Sequence, residues 1–93
     1  MNIYTFIMEF RGGTYINQVS ANNIEESINV WSNQLDISQI AHFGQKAKEN
    51  LIKSISNEMV TELNSVKNVW FFCITINVGF LMVNIVKTDV SED

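Results

Sequence analysis

An uncharged run of eighteen residues, VWFFCITINVGFLMVNIV at 69–86, constrains this chain more than any other feature. In length it matches a membrane-spanning helix, which needs roughly 18 or more apolar residues. In composition it reads as strand: β-branched and aromatic residues dominate, and Thr75, Asn77 and Asn84 stand inside it. An Asn-Val-Gly signal at 77–79 divides the run into two arms of ordinary strand length. The expectation is therefore a β-hairpin with a two-residue loop at Val78 and Gly79, and not a membrane helix. Alternation then puts Trp70, Phe72, Ile74, Ile76, Leu81, Val83 and Ile85 on one face. Val69, Phe71, Cys73, Thr75, Met82, Asn84 and Val86 fall on the other.

A second hairpin opens the chain. Residues 3–10 alternate as a strand, Gly12 and Gly13 supply the positive φ values of a two-residue loop, and residues 14–19 return. This pairing sets Phe10 against Tyr15, Met8 against Asn17 and Phe6 against Val19 on a core face. Glu9, Ile16 and Ile7 fall on the opposite face.

Two helices connect the hairpins. Asn23 begins the first as a capping box, with Glu26 reaching back and two acids, Glu25 and Glu26, in the electropositive first turn. Ile24, Ile28, Trp31 and Leu35 then recur at spacings of four, three and four, an apolar stripe in which Trp31 reads as core. The second helix is expected to start near Ser38, capped by Asp36 or Ser38, and to run to Asn57 with the stripe Ile40, Phe43, Ala47, Leu51, Ile55. Gly44 lies inside that stripe and marks a candidate irregularity, at about 1 kcal/mol relative to alanine. Residues 58–68 read as a polar connection held partly by Met59, Val60 and Leu63, and residues 89–93 as a disordered acidic tail.

The order is thus ββααββ, an α+β domain over 1–88 whose four-stranded antiparallel sheet carries both helices on one face. An antiparallel sheet with a wetted side should turn polar there. Here that side offers Ile3, Ile7, Ile16, Val69, Phe71, Cys73, Met82 and Val86, an apolar pattern that something should cover: a second copy in a homodimer, a foreign protein, the 58–68 connection or an apolar ligand.

Composition excludes several functions. With 46% hydrophobic and 17% charged residues the 93-residue chain is too apolar for intrinsic disorder. Its formal charge of −4 argues against a nucleic-acid backbone and permits a basic protein partner. One cysteine allows no internal disulfide, and MNIYTFIMEF has no basic n-region, so the expected compartment is the cytoplasm. His42, the one histidine, sits on the second helix with Asp36 and Glu49 too distant along the axis to join it. No metal-ligand spacing appears, and no cofactor is expected. Cys73 reads as a small buried hydrophobe, not a nucleophile. Gly12 and Gly13 lead into a strand with no Lys-Ser/Thr, so they make a turn and not a phosphate loop. Lys46, Lys48 and Lys53, with Glu49 among them, form a solvated face.

By elimination the chain reads as a small acidic, non-enzymatic protein-binding protein, of the kind represented by immunity proteins and antitoxins that neutralise a basic toxin domain. Its acidic contacts would be Glu25, Glu26, Asp89, Glu92 and Asp93. Alternatives are a homodimer or carrier of a small apolar ligand using the outer sheet face, and an enzyme built on His42 with Tyr15 or Glu49. The opening hairpin followed by SANNIEESINVW resembles the start of HicB-type antitoxins, where a Gly-containing hairpin leads into a helix beginning Thr-x-Glu-Glu-Ala. The resemblance spans about a third of the chain. No Pro-Gly-Cys segment follows the hairpin, a second hairpin does, and no DNA-binding module is appended, so membership does not follow.

Overall fold

Both apolar arms of the 69–86 run are strands. The computed structural model describes residues 1–55, 61–62 and 67–88, and within these the order is β1 (Asn2–Phe10), β2 (Gly13–Ala21), α1 (Ile24–Gln34), a single 3-10 turn (Ile37–Gln39), α2 (Gln45–Ile55), β3 (Thr61–Glu62), β4 (Val69–Ile76) and β5 (Gly79–Lys87). The strands form one antiparallel sheet in the order β2-β1-β5-β4-β3. First and last long strands are therefore neighbours, and the ββααββ arrangement holds, with a two-residue strand added at the β4 edge. Among the described residues no helix is long and apolar enough to cross a membrane.

In both hairpins the loop lies one residue earlier than expected. The first loop is Arg11 and Gly12, at φ 51 and φ 82, so Phe10 pairs with Gly13, Met8 with Tyr15 and Phe6 with Asn17. The second glycine serves a different purpose. A Cβ on Gly13 would lie 2.6 Å from the Tyr15 hydroxyl, which folds over it and accepts from the Ala41 amide at 3.4 Å. Arg11 adopts a left-handed conformation that costs an L-residue roughly 1–2 kcal/mol. Its guanidinium lies 6.0 Å from the Phe10 ring centroid, a cation–π contact that offsets part of that cost. In the second hairpin the loop is Asn77 and Val78, and Gly79 begins β5 at φ 140. The Asn77 amide donates to Asn50 Oδ1 at 3.0 Å, which ties that turn to α2. Each loop shift changes the register by two, an even number, so every side chain keeps its expected face.

The helices roof one face only. α1 lies over β2 and β1, α2 over β4. The α1 cap is the expected one: Asn23 Oδ1 accepts from the Glu26 amide at 2.8 Å, while Glu26 Oε1 reaches back to the Asn22 amide, one residue before the cap, at 3.1 Å. Ile28, Trp31 and Leu35 are buried, and Ser27 and Ser32 are buried with them, each donating to a carbonyl three residues earlier. Trp31 stacks on Phe6 at 4.9 Å and meets Phe72 edge-on at 6.2 Å. Its Nε1 is buried without an acceptor among the described residues.

The single long second helix does not form. Asp36 caps the 3-10 turn through Ser38, the chain breaks over 40–44 with His42 at φ 62, and α2 starts at Gln45. Lys48 N donates to Gly44 O at 3.1 Å, so glycine stands where the helix begins instead of inside it. The stripe survives the break, because Ile40, Phe43, Ala47 and Leu51 are all buried. α1 has no cation in its own last turn. Lys48 Nζ supplies one from α2, donating to Leu35 O at 3.1 Å, where the helix dipole favours positive charge. The expected end at Asn57 and the connection residues Met59, Val60 and Leu63 lie outside the described residues.

Candidate functional site

No element of the described chain packs on the second face of the sheet, and the register lays its residues out in rows. One row crosses from Ile16 through Ile7 and Asn84 to Phe71. Beside it run Thr14, Glu9, Met82 and Cys73 on one flank, and Gln18, Thr5, Val86 and Val69 on the other. Phe80 opposite Thr75 closes the face at the hairpin end. The seven residues expected at an interface, Ile7, Ile16, Val69, Phe71, Cys73, Met82 and Val86, thus share this face, with direct pairs at Ile7–Ile16, Cys73–Met82 and Val69–Val86.

Their exposure is uneven. Ile16 is 63% exposed and Met82 38%, whereas Ile7, Val69, Phe71 and Val86 are half-buried by their neighbours in the rows. Phe80, 52% exposed, belongs to the same surface and was missed by the interface reading, although its even spacing from Met82 and Asn84 carries the signal. Polar residues interrupt the apolar ones: Thr5 bonds to the Thr88 hydroxyl at 2.8 Å and accepts from Gln18 Nε2 at 3.0 Å. Glu9 is the one carboxylate on this face among the four long strands. Cys73 is exposed and free, not buried as its apolar neighbours implied, because β4 turns alternate residues outward.

The acidic candidates are not gathered on that face. Glu25 is exposed in the first turn of α1, and Glu26 is committed to the cap. Asp89, Glu92 and Asp93 lie outside the described residues. One further acid has a defined setting. Asp36 Oδ1 accepts from the Ser38 hydroxyl at 2.6 Å and the Ser38 amide at 3.1 Å. These bonds, chiefly the one from the hydroxyl, hold its carboxyl below the ordinary value of 3.8.

His42 is exposed and stands in the break before α2, not on the helix. Tyr15, its supposed partner, turns its hydroxyl to the Ala41 amide instead. Among the described residues no group of three or more His, Cys, Asp or Glu side chains converges as a metal site would require. Lys46, Glu49, Asn50, Lys53 and Asn77 surround an open hollow of about 280 Å³ beside α2. Compared with known protein families, curated proteins and solved structures, the chain matches none of them.

Proposed function

We propose that this chain is a non-enzymatic binding protein that seats a basic protein partner on the uncovered face of its sheet, acting as a neutraliser in the manner of immunity proteins and antitoxins. The observation that carries this reading is the face itself. Strands β2 and β5 turn Ile16, Phe80 and Met82 outward as exposed large apolar side chains, and no described element packs on this face. Apolar area of this kind supplies affinity, at roughly 25 cal/mol per Å² removed from water before the costs of association. The formal charge of −4 supplies the selection of a basic partner, by steering its approach, and Glu9 offers that partner's cation an anchor inside the patch. A cytoplasmic setting suits an exposed free thiol at Cys73.

The test is capture from the native host followed by titration of the purified partner. Wild-type protein is expected to bind a basic protein stoichiometrically, more weakly as salt rises, and Phe71→Glu to lose that binding while remaining folded. A partner that binds Phe71→Glu as tightly as wild type would remove the face from the account. Affinity that is flat with salt would remove the electrostatic part.

A further inference from the structure

We infer that two copies of this chain join edge to edge through antiparallel pairing of β2, making one continuous sheet and one extended outer face. The two edges of the sheet are unlike. At one, β4 is followed by the two-residue β3, a short edge of the kind that discourages further pairing. At the other, β2 runs nine residues in unbroken register with β1, and GTYINQVSA contains no charge, no proline and no bulge. Among the described residues β2 thus lacks the charges, prolines and bulges that blunt an edge.

Register fixes which backbone groups are free. The two-residue turn at Arg11 and Gly12 makes Phe10 and Gly13 a hydrogen-bonded pair, so the odd-numbered residues of β2 bond to β1. The β1 residues between them face β5 instead, as the bond from the Thr88 amide to Ile3 O at 2.8 Å shows. Thr14, Ile16, Gln18 and Ser20 therefore aim N–H and C=O away from the sheet, and all four are exposed. An open cleft of about 290 Å³ lies between residues 14–17 and Leu35, Asp36, Gln39 and Ile40.

The strand is complementary to itself. With a two-fold axis at Asn17, the centre of β2, Thr14 meets the second copy's Ser20 and Ile16 meets its Gln18. That register engages every outward group, about eight backbone hydrogen bonds in all. No like charges meet across the seam, because β2 carries none; this favours a second copy of an acidic chain here over any charged surface elsewhere on it. An axis normal to the sheet keeps both helical layers on one side. It also brings Ile7 and Ile16 of each copy to flank the seam, so the second copy contributes residues to the same outer face. This inference stands on the edge geometry and not on the partner reading, which is tested separately through Phe71.

The experiment is light scattering over a concentration series on wild type, Gln18→Pro and Gln18→Ala. Proline at 18 removes an outward N–H but none of the bonds between β2 and β1, a placement an edge strand tolerates. Expected are a mass rising to twice 10.6 kDa for wild type and Gln18→Ala, and 10.6 kDa for folded Gln18→Pro. A wild type that stays at the monomer mass overturns the inference, as does a dimer that survives in folded Gln18→Pro. Should Gln18→Pro not fold, amide exchange on wild type decides: Thr14, Ile16, Gln18 and Ser20 must gain protection as concentration rises, and unchanged exchange at these four overturns the proposal.

Discussion

The two faces of this sheet are made by the same four long strands and share the same hydrogen-bond ladders, yet they are built on opposite rules. On the helix side Phe6, Met8, Leu81, Val83 and Ile85 are wholly removed from water beneath Trp31 and Leu51. On the other, Ile16 and Phe80 stand more than half exposed among threonines, Gln18 and Asn84. Apolar side chains stand on both faces, but only on the helix side do described elements pack over them. The face beneath the helices stabilises the fold; the other, on which no described element packs, is the one proposed for recognition. Substitutions should therefore divide cleanly, with stability lost on one side and binding on the other.

The largest effect belongs to the covered face. Phe6→Ala removes the ring stacked on Trp31 at full burial and should cost about 3–5 kcal/mol in chemical denaturation. A loss under about 1 kcal/mol would show that the face is not packed as described. Next is the cap that holds α1 over that face. Asn23→Ala deletes the bond to the Glu26 amide and should cost about 1 kcal/mol in the same assay, with Asn23→Ser restoring most of it. On the uncovered face Ile16→Thr should move stability by no more than about 0.5 kcal/mol, since exposed positions of this kind rarely do. The smallest effect is titration of Asp36 in the turn between the helices. Its carboxyl sits below 3.8, so the contribution of its bonds to Ser38 is full above that ordinary value and fades as pH falls through the lower folded one. A carboxyl titration followed by NMR should place the midpoint below 3.8, and a midpoint at or above it would contradict the Ser38 bonds.

Much of this division was legible in the residues. Alternation assigned the faces of all four long strands, and it survived a misplaced loop in each hairpin because both register changes were even. The turn positions were harder to read. Two adjacent glycines favour a turn at 12–13, yet the loop is Arg11 and Gly12, and the Tyr15 ring lies over Gly13. The helical stripe from Ile40 to Leu51 was visible, but periodicity does not distinguish one helix from a 3-10 turn, a break at His42 and a second helix that keeps the same side chains buried. The β1–β5 pairing had no local signal, because the two strands lie at opposite ends of the chain and β1, β4 and β5 alternate alike on their core sides. Of the candidate site, the shared face of Ile7, Phe71 and Met82 was readable, and the same alternation places Cys73 and Phe80 on it, whereas how far each is exposed depends on the neighbours beside it.

Cys73 also provides the most direct test that the uncovered face is the working surface. It is the chain's one thiol, exposed on that face and paired with Met82, so its rate of reaction with a small thiol reagent reports whether the face is covered. With the captured partner bound at saturation, that rate should fall at least tenfold relative to the free protein, as expected for a thiol withdrawn from solvent. An unchanged rate in the saturated complex would mean that the partner sits elsewhere and would contradict the account.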